Sequence, residues 1–542
     1  MKRLFFLFSI SFSIVIFSSC TGRFDSMNTN PGAVTNASLK YILPYVQEVG
    51  AHLSATPYQL GDNLYAQRYC QYFANTQTAF STDRYGYNDS WSTGGFWTPY
   101  YTTLKHLKVA KEIASKESSE INLYQMMRIT LAYETASMTD IYGDIPYTTA
   151  GLGESQNKYD PQDSIYKDIF KELTEAVEVL NQNNSEQETV TIDNDLVFGG
   201  NIQKWIRFAN SLRLRYALRI SFKDPSWAKT EGEAALKAGI MESNSDNAYM
   251  TCNGKGAWGW GNPLYMMSTW HEFTMSAEME KILKHLSTVE DPRMRLWFGQ
   301  AEDYVAAKKD GTLSNYTGEQ FAGLPNGMSS TEIGLPDNAA TRHSVCLGLQ
   351  AYPEWNSLDT PTSDVLNTTV TLPLKIMTYS EVCFLKAEAA LLGWSGAGNA
   401  KENYYSGITA SLADERSFLS NAALSPTTND EIYMTTGDVA WDDNDTYEQK
   451  LEKIATQKWI ALYPNGIEAW AECRRTGYPK LIPVLHSEET TIDPSKGQFI
   501  KKLRYPDSER RENAENATSS KLNNGQGDGP NVRVWWDTGR YK

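Results

Sequence analysis

Cysteine and histidine are scarce in this chain, which has only six of each in 542 residues. No CxxC pair occurs, and disulfide frameworks belong to much smaller secreted domains, so we expect the internal cysteines to be buried core residues. HExxH, GxSxG and phosphate-loop motifs are also absent. We therefore predict a protein that is not an enzyme and that carries no metal and no cofactor. The 442–445 run (DDND) has calcium-type donors but lacks the EF-hand pattern.

Positively charged residues are fewer than negatively charged ones: the chain has 50 Lys and Arg residues and 65 Asp and Glu residues, which gives a formal net charge of −15. Nucleic-acid binding depends on basic patches that neutralise phosphates. This composition argues against a nucleic-acid partner and against docking on anionic lipid through a polybasic segment.

Long apolar runs are missing apart from residues 4–17, which follow Met1, Lys2 and Arg3. That run is shorter than the roughly 20 residues of a membrane-spanning helix and is typical of a signal peptide. Small residues precede Cys20 as in a lipobox, so we predict a signal peptide at 1–19 and lipidation of Cys20. Acyl chains would then anchor the mature chain, 20–542, to the outer membrane.

Helical periodicity dominates what remains, and we predict a mainly α fold built of tetratricopeptide-like helical hairpins. The scaffold is predicted at about 38–225 and 375–480, with helices near 104–114, 123–142, 165–180, 205–223, 377–392, 403–412 and 447–462. A loop-rich insertion rich in Gly, Asn and aromatics occupies about 243–371, with one helix at 276–286. The 501–542 tail is predicted to be looped, and no hinge-like linker divides the chain.

Several strings, taken together and in order, resemble one protein family. They are FDSMNTNP at 24–31, DIYGDIPY at 140–147, ANSLRLR at 209–215, YSEVCFLKAEAALLGW at 379–394, YYSGI at 404–408, QKWIAL at 457–462, EAW at 468–470, RRTGYP at 474–479, RYP at 504–506 and VWWD at 534–537. In this order they resemble the SusD/RagB group of Bacteroidetes outer-membrane lipoproteins, specifically its second SusD-like branch.

The resemblance implies a tetratricopeptide-like scaffold carrying irregular loops, cell-surface exposure, and a lid-like role on a TonB-dependent SusC-type transporter. Family members capture glycans or, in some cases, peptides. The family strings themselves are interpreted as structural. Arg215 and Arg219 share one helix face, Glu381 and Glu388 share another, and buried arginine–carboxylate pairs between helices explain such residues.

Two aromatic clusters interleaved with glycine are the candidate ligand-binding segments, because flat rings can stack on the C–H face of a sugar. The candidate residues are Tyr85, Tyr87, Asn88, Asp89, Trp91 and Trp97 in the first segment, and Trp258, Trp260 and Tyr265 in the second, which also holds Trp270. Each large aromatic ring has an alternative interpretation as a core residue.

The leading hypothesis is an outer-membrane lipoprotein that binds an oligosaccharide nutrient and delivers it to a SusC-type transporter. A peptide-binding member of the same group is the first alternative. A structural subunit of the transporter complex without a ligand of its own is the second. A surface glycosidase is the third, and it would need two carboxylates at a set separation.

Overall fold

The structure is a computed structural model that describes residues 38–541 apart from 152–155, 183–186, 253–260, 352–370 and 420. Its regular structure is mainly helical, which confirms the predicted fold class. The predicted signal peptide and Cys20 lie outside the described residues.

Helices of eight or more residues form most of the scaffold. They are α1 (Leu43–Gly50), α2 (Thr98–Ala114), α3 (Ile121–Tyr142), α4 (Gln162–Leu180), α5 (Ile202–Arg219), α6 (Pro225–Ala238), α7 (Ala277–His285), α8 (Glu302–Lys309), α9 (Tyr379–Leu391), α10 (Ala400–Ser417), α11 (Tyr447–Ala461) and α12 (Gly466–Thr476). Shorter α-helical segments are Ala55–Pro57, Gln67–Tyr69, Asp89–Ser92, Pro263–Ser268, Met294–Trp297, Ser330–Ile333, Asp430–Thr435, Asp507–Glu512, Ala514–Ala517 and Leu522–Gly525. Tyr58–Ala66 and Thr93–Trp97 are π-helical.

Helices that follow one another in the chain pack side by side, α2 on α3, α3 on α4, α4 on α5 and α5 on α6, and α9 pairs with α10 in the same way. Helix α4 shows the cause, because its apolar residues recur on one face and are buried there. That face carries Ile165, Ile169, Leu173, Ala176, Val177 and Leu180. Helix α3 is buried on almost all sides and lies at the centre of the first half.

Four of these helices, α1, α6, α8 and α12, were not predicted. Two of them, α6 and α12, were missed because their start signals were read as the ends of the preceding helices. Asp224 caps the N-terminus of α6 by accepting from the Trp227 N–H, and Pro225 occupies the first turn, where its missing N–H is harmless. Asn465 caps α12 in the same way through the Glu468 N–H. The predicted scaffold therefore lacked α6 and α12.

A buried network of ion pairs joins the two halves of the scaffold. The Arg215 guanidinium on α5 donates twice to Glu381 on α9, at 2.6 Å each. Arg475 on α12 donates to both oxygens of Glu388 at 2.7 Å. All four side chains are at most 2% exposed. The prediction that these arginines and glutamates form buried structural pairs is confirmed for Arg215, Glu381 and Glu388.

Arg219 is the centre of the same network. Its guanidinium lies 2.5 Å from Glu472, 2.6 Å from Glu468 and 3.2 Å from Asp140, and none of these side chains is more than 8% exposed. Burial alone would raise the pKa of Glu472, but the surrounding cations, with Arg475 foremost, hold that pKa well below its ordinary value. The network therefore keeps the Glu472 carboxylate charged inside the protein.

The described part of the chain contains three antiparallel strand pairs, two of which join segments that are far apart in the sequence. They are β1 (Phe73–Asn75) with β5 (Phe273–Met275), β2 (Ile145–Pro146) with β3 (Tyr159–Asp160), and β4 (Ala248–Met250) with β6 (Leu374–Met377). The β1–β5 pair joins the scaffold to the insertion with Phe73 opposite Met275 and Asn75 opposite Phe273. The predicted helix at 276–286 is observed as α7, capped by Ser276.

The cysteines in the described part of the chain are free and buried, as expected for core residues; they are Cys70, Cys252, Cys346, Cys383 and Cys473. In the same part of the chain, no helix combines the length and the apolar character that crossing a membrane requires.

Candidate functional site

The first predicted aromatic segment ends in the π-helical turn Thr93–Trp97, which packs against the π-helical segment Tyr58–Ala66. Their backbones approach closely where Gly61 meets Gly95, since a Cβ added to Gly95 would lie 2.4 Å from the Gly61 nitrogen. Glycine is required there because any side chain would push the segments apart. π-Helical turns are rare and occur often at functional sites.

The β1–β5 pair brings together two stretches that are about 200 residues apart in the sequence. Because the strands are antiparallel, residues just after Asn75 lie beside residues just before Phe273. The Thr76 hydroxyl donates to the His271 carbonyl at 2.5 Å, and the Gln77 amide donates to the same carbonyl at 3.3 Å. The turn at 76–80 therefore sits next to residues 270–272.

Four apolar side chains mark this region, and we name them the aromatic surface: Phe80, Trp91, Met266 and Trp270. Phe80 and Trp91 are half-buried and meet edge to face, with ring centroids 5.4 Å apart and planes at 85°. Met266 and Trp270 are 43% and 42% exposed. Exposed large apolar side chains in one region typically mark a binding site.

Polar groups border the aromatic surface. The Gln59 side-chain amide donates to the Glu272 carboxylate at 2.7 Å, and both residues are half-buried. Gln59 lies on the π-helical segment Tyr58–Ala66, whereas Glu272 directly precedes β5. Amide and carboxylate groups beside exposed rings can bond the hydroxyls of a ligand whose apolar face stacks on the rings.

Three of the predicted ligand-binding aromatics are core residues in this structure. Tyr85, Tyr265 and Trp97 are 4%, 6% and 7% exposed. Trp97 packs edge to face on Tyr142, with centroids 5.2 Å apart. A ring buried to this extent has no free face for stacking, so the expectation for these three residues is corrected to a structural role.

Tyr87, Asn88 and Asp89 use their polar groups within the protein. The Asn88 side chain accepts from the Trp91 N–H at 3.2 Å and caps the short helix that carries Trp91. Asp89 accepts from the Tyr87 hydroxyl at 3.1 Å, and burial raises the pKa of Tyr87. The Arg504 guanidinium lies over the Tyr87 ring, 4.2 Å from its centroid. These residues hold Trp91 in place.

The tryptophans Trp258 and Trp260 lie outside the described residues. Their segment, 253–260, precedes the Pro263–Ser268 helix, which carries Met266 and packs on Tyr58–Ala66. Trp270 was noted in the sequence as part of this cluster but was not chosen as a candidate. Phe80, Met266, Gln59 and Glu272 were not singled out. The turn that carries Phe80 comes next to Glu272 only through the β1–β5 pairing, which no local sequence pattern indicates.

Metal-ligating side chains do not converge in the described residues, where no group of three or more His, Cys, Asp or Glu side chains is placed to hold a metal ion. In the 442–445 run, Asp443 pairs with Lys401 at 3.0 Å and Asp445 pairs with Lys453 at 3.3 Å.

Comparison with known proteins decides the family. A sequence model of the SusD-like family, described as SusD and RagB outer membrane lipoprotein, matches residues 26–537. The chain belongs to the SusD-like family. Its family is one of outer membrane lipoproteins whose members are binding proteins, which matches the resemblance found in the sequence. Comparison with curated proteins finds no match.

Solved structures of other SusD homologues share the fold. A chitin-binding SusD homologue from Flavobacterium johnsoniae is 29% identical, with a TM-score of 0.73 over 92% of this chain and 99% of that chain. A SusD homologue from Bacteroides uniformis is 26% identical, with a TM-score of 0.73 over 93% and 99%. One from Bacteroides vulgatus is 29% identical, with a TM-score of 0.72 over 90% and 94%.

Proposed function

We propose that this SusD-like chain binds an oligosaccharide nutrient on the aromatic surface and delivers it unaltered to a TonB-dependent SusC-type transporter. The observation that carries the proposal is the exposed Trp270. The next residue, His271, is hydrogen-bonded to the start of the 76–80 turn that leads to Phe80, whose ring meets Trp91. The Gln59 and Glu272 side chains add a bonded polar pair next to His271. Such a surface offers flat apolar faces for sugar rings and polar groups for their hydroxyls. Binding of this kind needs no covalent chemistry.

A glycan is favoured over a peptide by two observations. The surface presents aromatic rings with an amide and a carboxylate next to them, which are the groups that stack on sugar rings and bond their hydroxyls. The Flavobacterium johnsoniae homologue, with the same fold and 29% identity, is a chitin-binding protein. Oligosaccharides of the chitin type are therefore the first class to test.

Ligand binding is tested by calorimetric titration of the mature chain and its Trp270→Ala variant with a panel of oligosaccharides, chitooligosaccharides included. Truncating a central aromatic anchor typically costs about 2 kcal/mol, roughly thirtyfold in Kd. Tyr41, which is 66% exposed and lies outside the aromatic surface, supplies the matched control Tyr41→Ala. Trp270→Ala should weaken binding by that factor with an unchanged melting temperature, and Tyr41→Ala should not weaken it.

Three outcomes would contradict the proposal. Equal affinities of Trp270→Ala and the parent chain would place the ligand elsewhere. Binding of peptides with no binding of glycans would favour the peptide-binding alternative. Release of shortened sugars from the bound oligosaccharide would show a glycosidase. Delivery is tested separately, by affinity capture from outer membranes, where a large TonB-dependent barrel protein should copurify with the lipidated chain.

A further inference from the structure

A cavity of about 620 Å³ opens at the far end of the helical scaffold, between the N-termini of α3 and α5 and the C-terminus of α4. Small-molecule sites commonly measure about 300–1,000 Å³, so the cavity is large enough for a ligand. At the other end of α3, the Tyr142 hydroxyl lies 2.6 Å from the hydroxyl of Ser92, the residue next to Trp91 of the aromatic surface. Helix α3 has 22 residues and spans about 33 Å at 1.5 Å per residue, so the two places are separate.

The lining of the cavity is aliphatic inside and amide-rich at the mouth. Leu123, Met126 and Leu180 are buried, at most 2% exposed, and form apolar walls. Asn201 and Gln203 lie exposed at the mouth. Among the described residues that line it there is no aromatic ring and no cationic side chain. This composition suits an uncharged ligand and offers no platform on which a sugar ring could stack.

Among the lining residues that the structure describes, Asn122 combines deep burial with an unused polar atom. It is 8% exposed, and its Oδ1 receives no hydrogen bond from any residue that the structure describes. Its backbone N–H is already taken, because it donates to Gln187 Oε1 at 2.9 Å. Buried polar side chains are nearly always hydrogen-bonded, so an unused acceptor on a side chain that lines the cavity points to a partner supplied from outside the chain.

Glu188 is the charged residue of the lining, and its charge is matched. Its carboxylate lies 3.2 Å from the Lys40 ammonium, which leaves the cavity without net charge from this pair. The described lining residues therefore include neither the free cation that an anionic ligand needs nor a cluster of free carboxylates that would attract a cationic one.

We propose that this cavity is a second binding site, for a small uncharged ligand that presents a secondary amide next to a short aliphatic group. A carboxamide carries an acceptor and a donor side by side, so Asn122 can pair with the N–H and C=O of another amide, while the aliphatic walls take the adjoining methyl. This chemistry is found in acetamido sugars and in short peptides. The site is independent of the aromatic surface.

Methionine NMR can test both surfaces at once, because Met126 lines the cavity whereas Met266 belongs to the aromatic surface. The mature chain is labelled at the methionine methyl carbons and titrated with N-acetylglucosamine, N-acetylalanine methylamide and glucose. The Met126 methyl signal should shift with at least one of the two amide probes, and which one responds identifies the source. Glucose, which lacks the amide, should leave it in place.

Two variants complete the test. Ile202→Trp places an indole at the half-buried mouth and should abolish the Met126 shift, whereas Ile192→Trp, at a 46% exposed position outside the lining, should preserve it. Asn122→Leu keeps the side-chain volume without the amide and should weaken amide-probe binding at least tenfold. An unshifted Met126 signal with both amide probes, or an equal response to glucose, would overturn the proposal. A Met266 signal unchanged from the parent chain shows that each variant is folded.

Discussion

Replacing Arg219 by methionine should destabilise the protein through the charges that it leaves behind. Three carboxylates, Asp140, Glu468 and Glu472, lie within 3.2 Å of the guanidinium, and all are at least nine-tenths buried. Methionine keeps much of the side-chain volume, so the change removes charge rather than packing. Breaking a buried ion pair from one side typically costs about 3–5 kcal/mol, because the remaining charge is left without compensation in the interior.

The expected change in melting temperature follows from the size of the protein. Unfolding entropy is about 2.1 cal/mol/K per residue, or on the order of 1 kcal/mol/K for the chain from Leu39 onwards, so this loss lowers Tm by roughly 3–5 °C. Arg213 on the same helix supplies the control. It pairs with one carboxylate, Glu231 at 2.6 Å, and the two side chains are 15% and 16% exposed. Arg213→Met should cost about 1 kcal/mol or less.

The pH dependence of the Tm deficit distinguishes uncompensated buried charge from lost packing. Burial already raises the pKa of Asp140, and Arg219 is the largest influence that opposes this rise. Without Arg219 the pKa of Asp140 rises further, so this carboxyl takes up a proton as the pH falls and the penalty for burying its charge decreases. The Tm deficit of Arg219→Met, measured by differential scanning fluorimetry, should therefore be smaller at pH 5 than at pH 8. A deficit that matches the Arg213→Met control, or that does not change with pH, would refute the reasoning.

Two further variants test the interior and the base of the site. Burial raises the pKa of Glu134 to about 8, so this carboxyl keeps its proton in the folded protein. The protonated carboxyl contributes fully to stability below the unfolded pKa near 4.5, and this contribution is lost as the pH rises toward 8. Glu134→Gln should flatten that decline in Tm between pH 5 and 9. Equal slopes of Tm against pH in the variant and the parent chain would contradict this prediction. Gly95→Ala should lower Tm by several degrees and weaken ligand binding, because the new Cβ would meet the Gly61 backbone at 2.4 Å. Gly94→Ala should be milder, since its Cβ would lie 3.2 Å from the movable end of Leu60.

The scaffold was readable from the sequence wherever one face of a helix is continuously apolar, as in α4. The sequence also predicted that arginine and glutamate side chains pair in the interior, because charged residues repeated along a helix inside apolar surroundings need partners. It did not predict which residues pair, since Glu468 and Glu472 lie on α12, a helix whose Asn465 cap was read as a stop.

The two segments that carry most of the aromatic surface were singled out in the sequence, but Trp91 is the one residue of that surface among the predicted candidates. Glycine-rich aromatic strings located both segments, yet Tyr85, Trp97 and Tyr265 are buried, while Phe80 and Trp270 are not. Trp97 lies in a π-helical turn, where residues do not follow the 3.6-residue repeat, so periodicity cannot tell whether its ring faces inward. The pairing of β1 with β5 spans about 200 residues of sequence, and no local pattern announces it.

Fluorine NMR of the mature chain labelled with 5-fluorotryptophan is the measurement that tests ligand binding at the aromatic surface most directly. The signals of Trp91 and Trp270, assigned with Trp→Phe variants, should shift when the oligosaccharide found by calorimetry is added. Signals of the buried Trp297 and Trp459, each 1% exposed, should stay in place. Saturating binding that leaves both Trp91 and Trp270 unshifted would contradict the account.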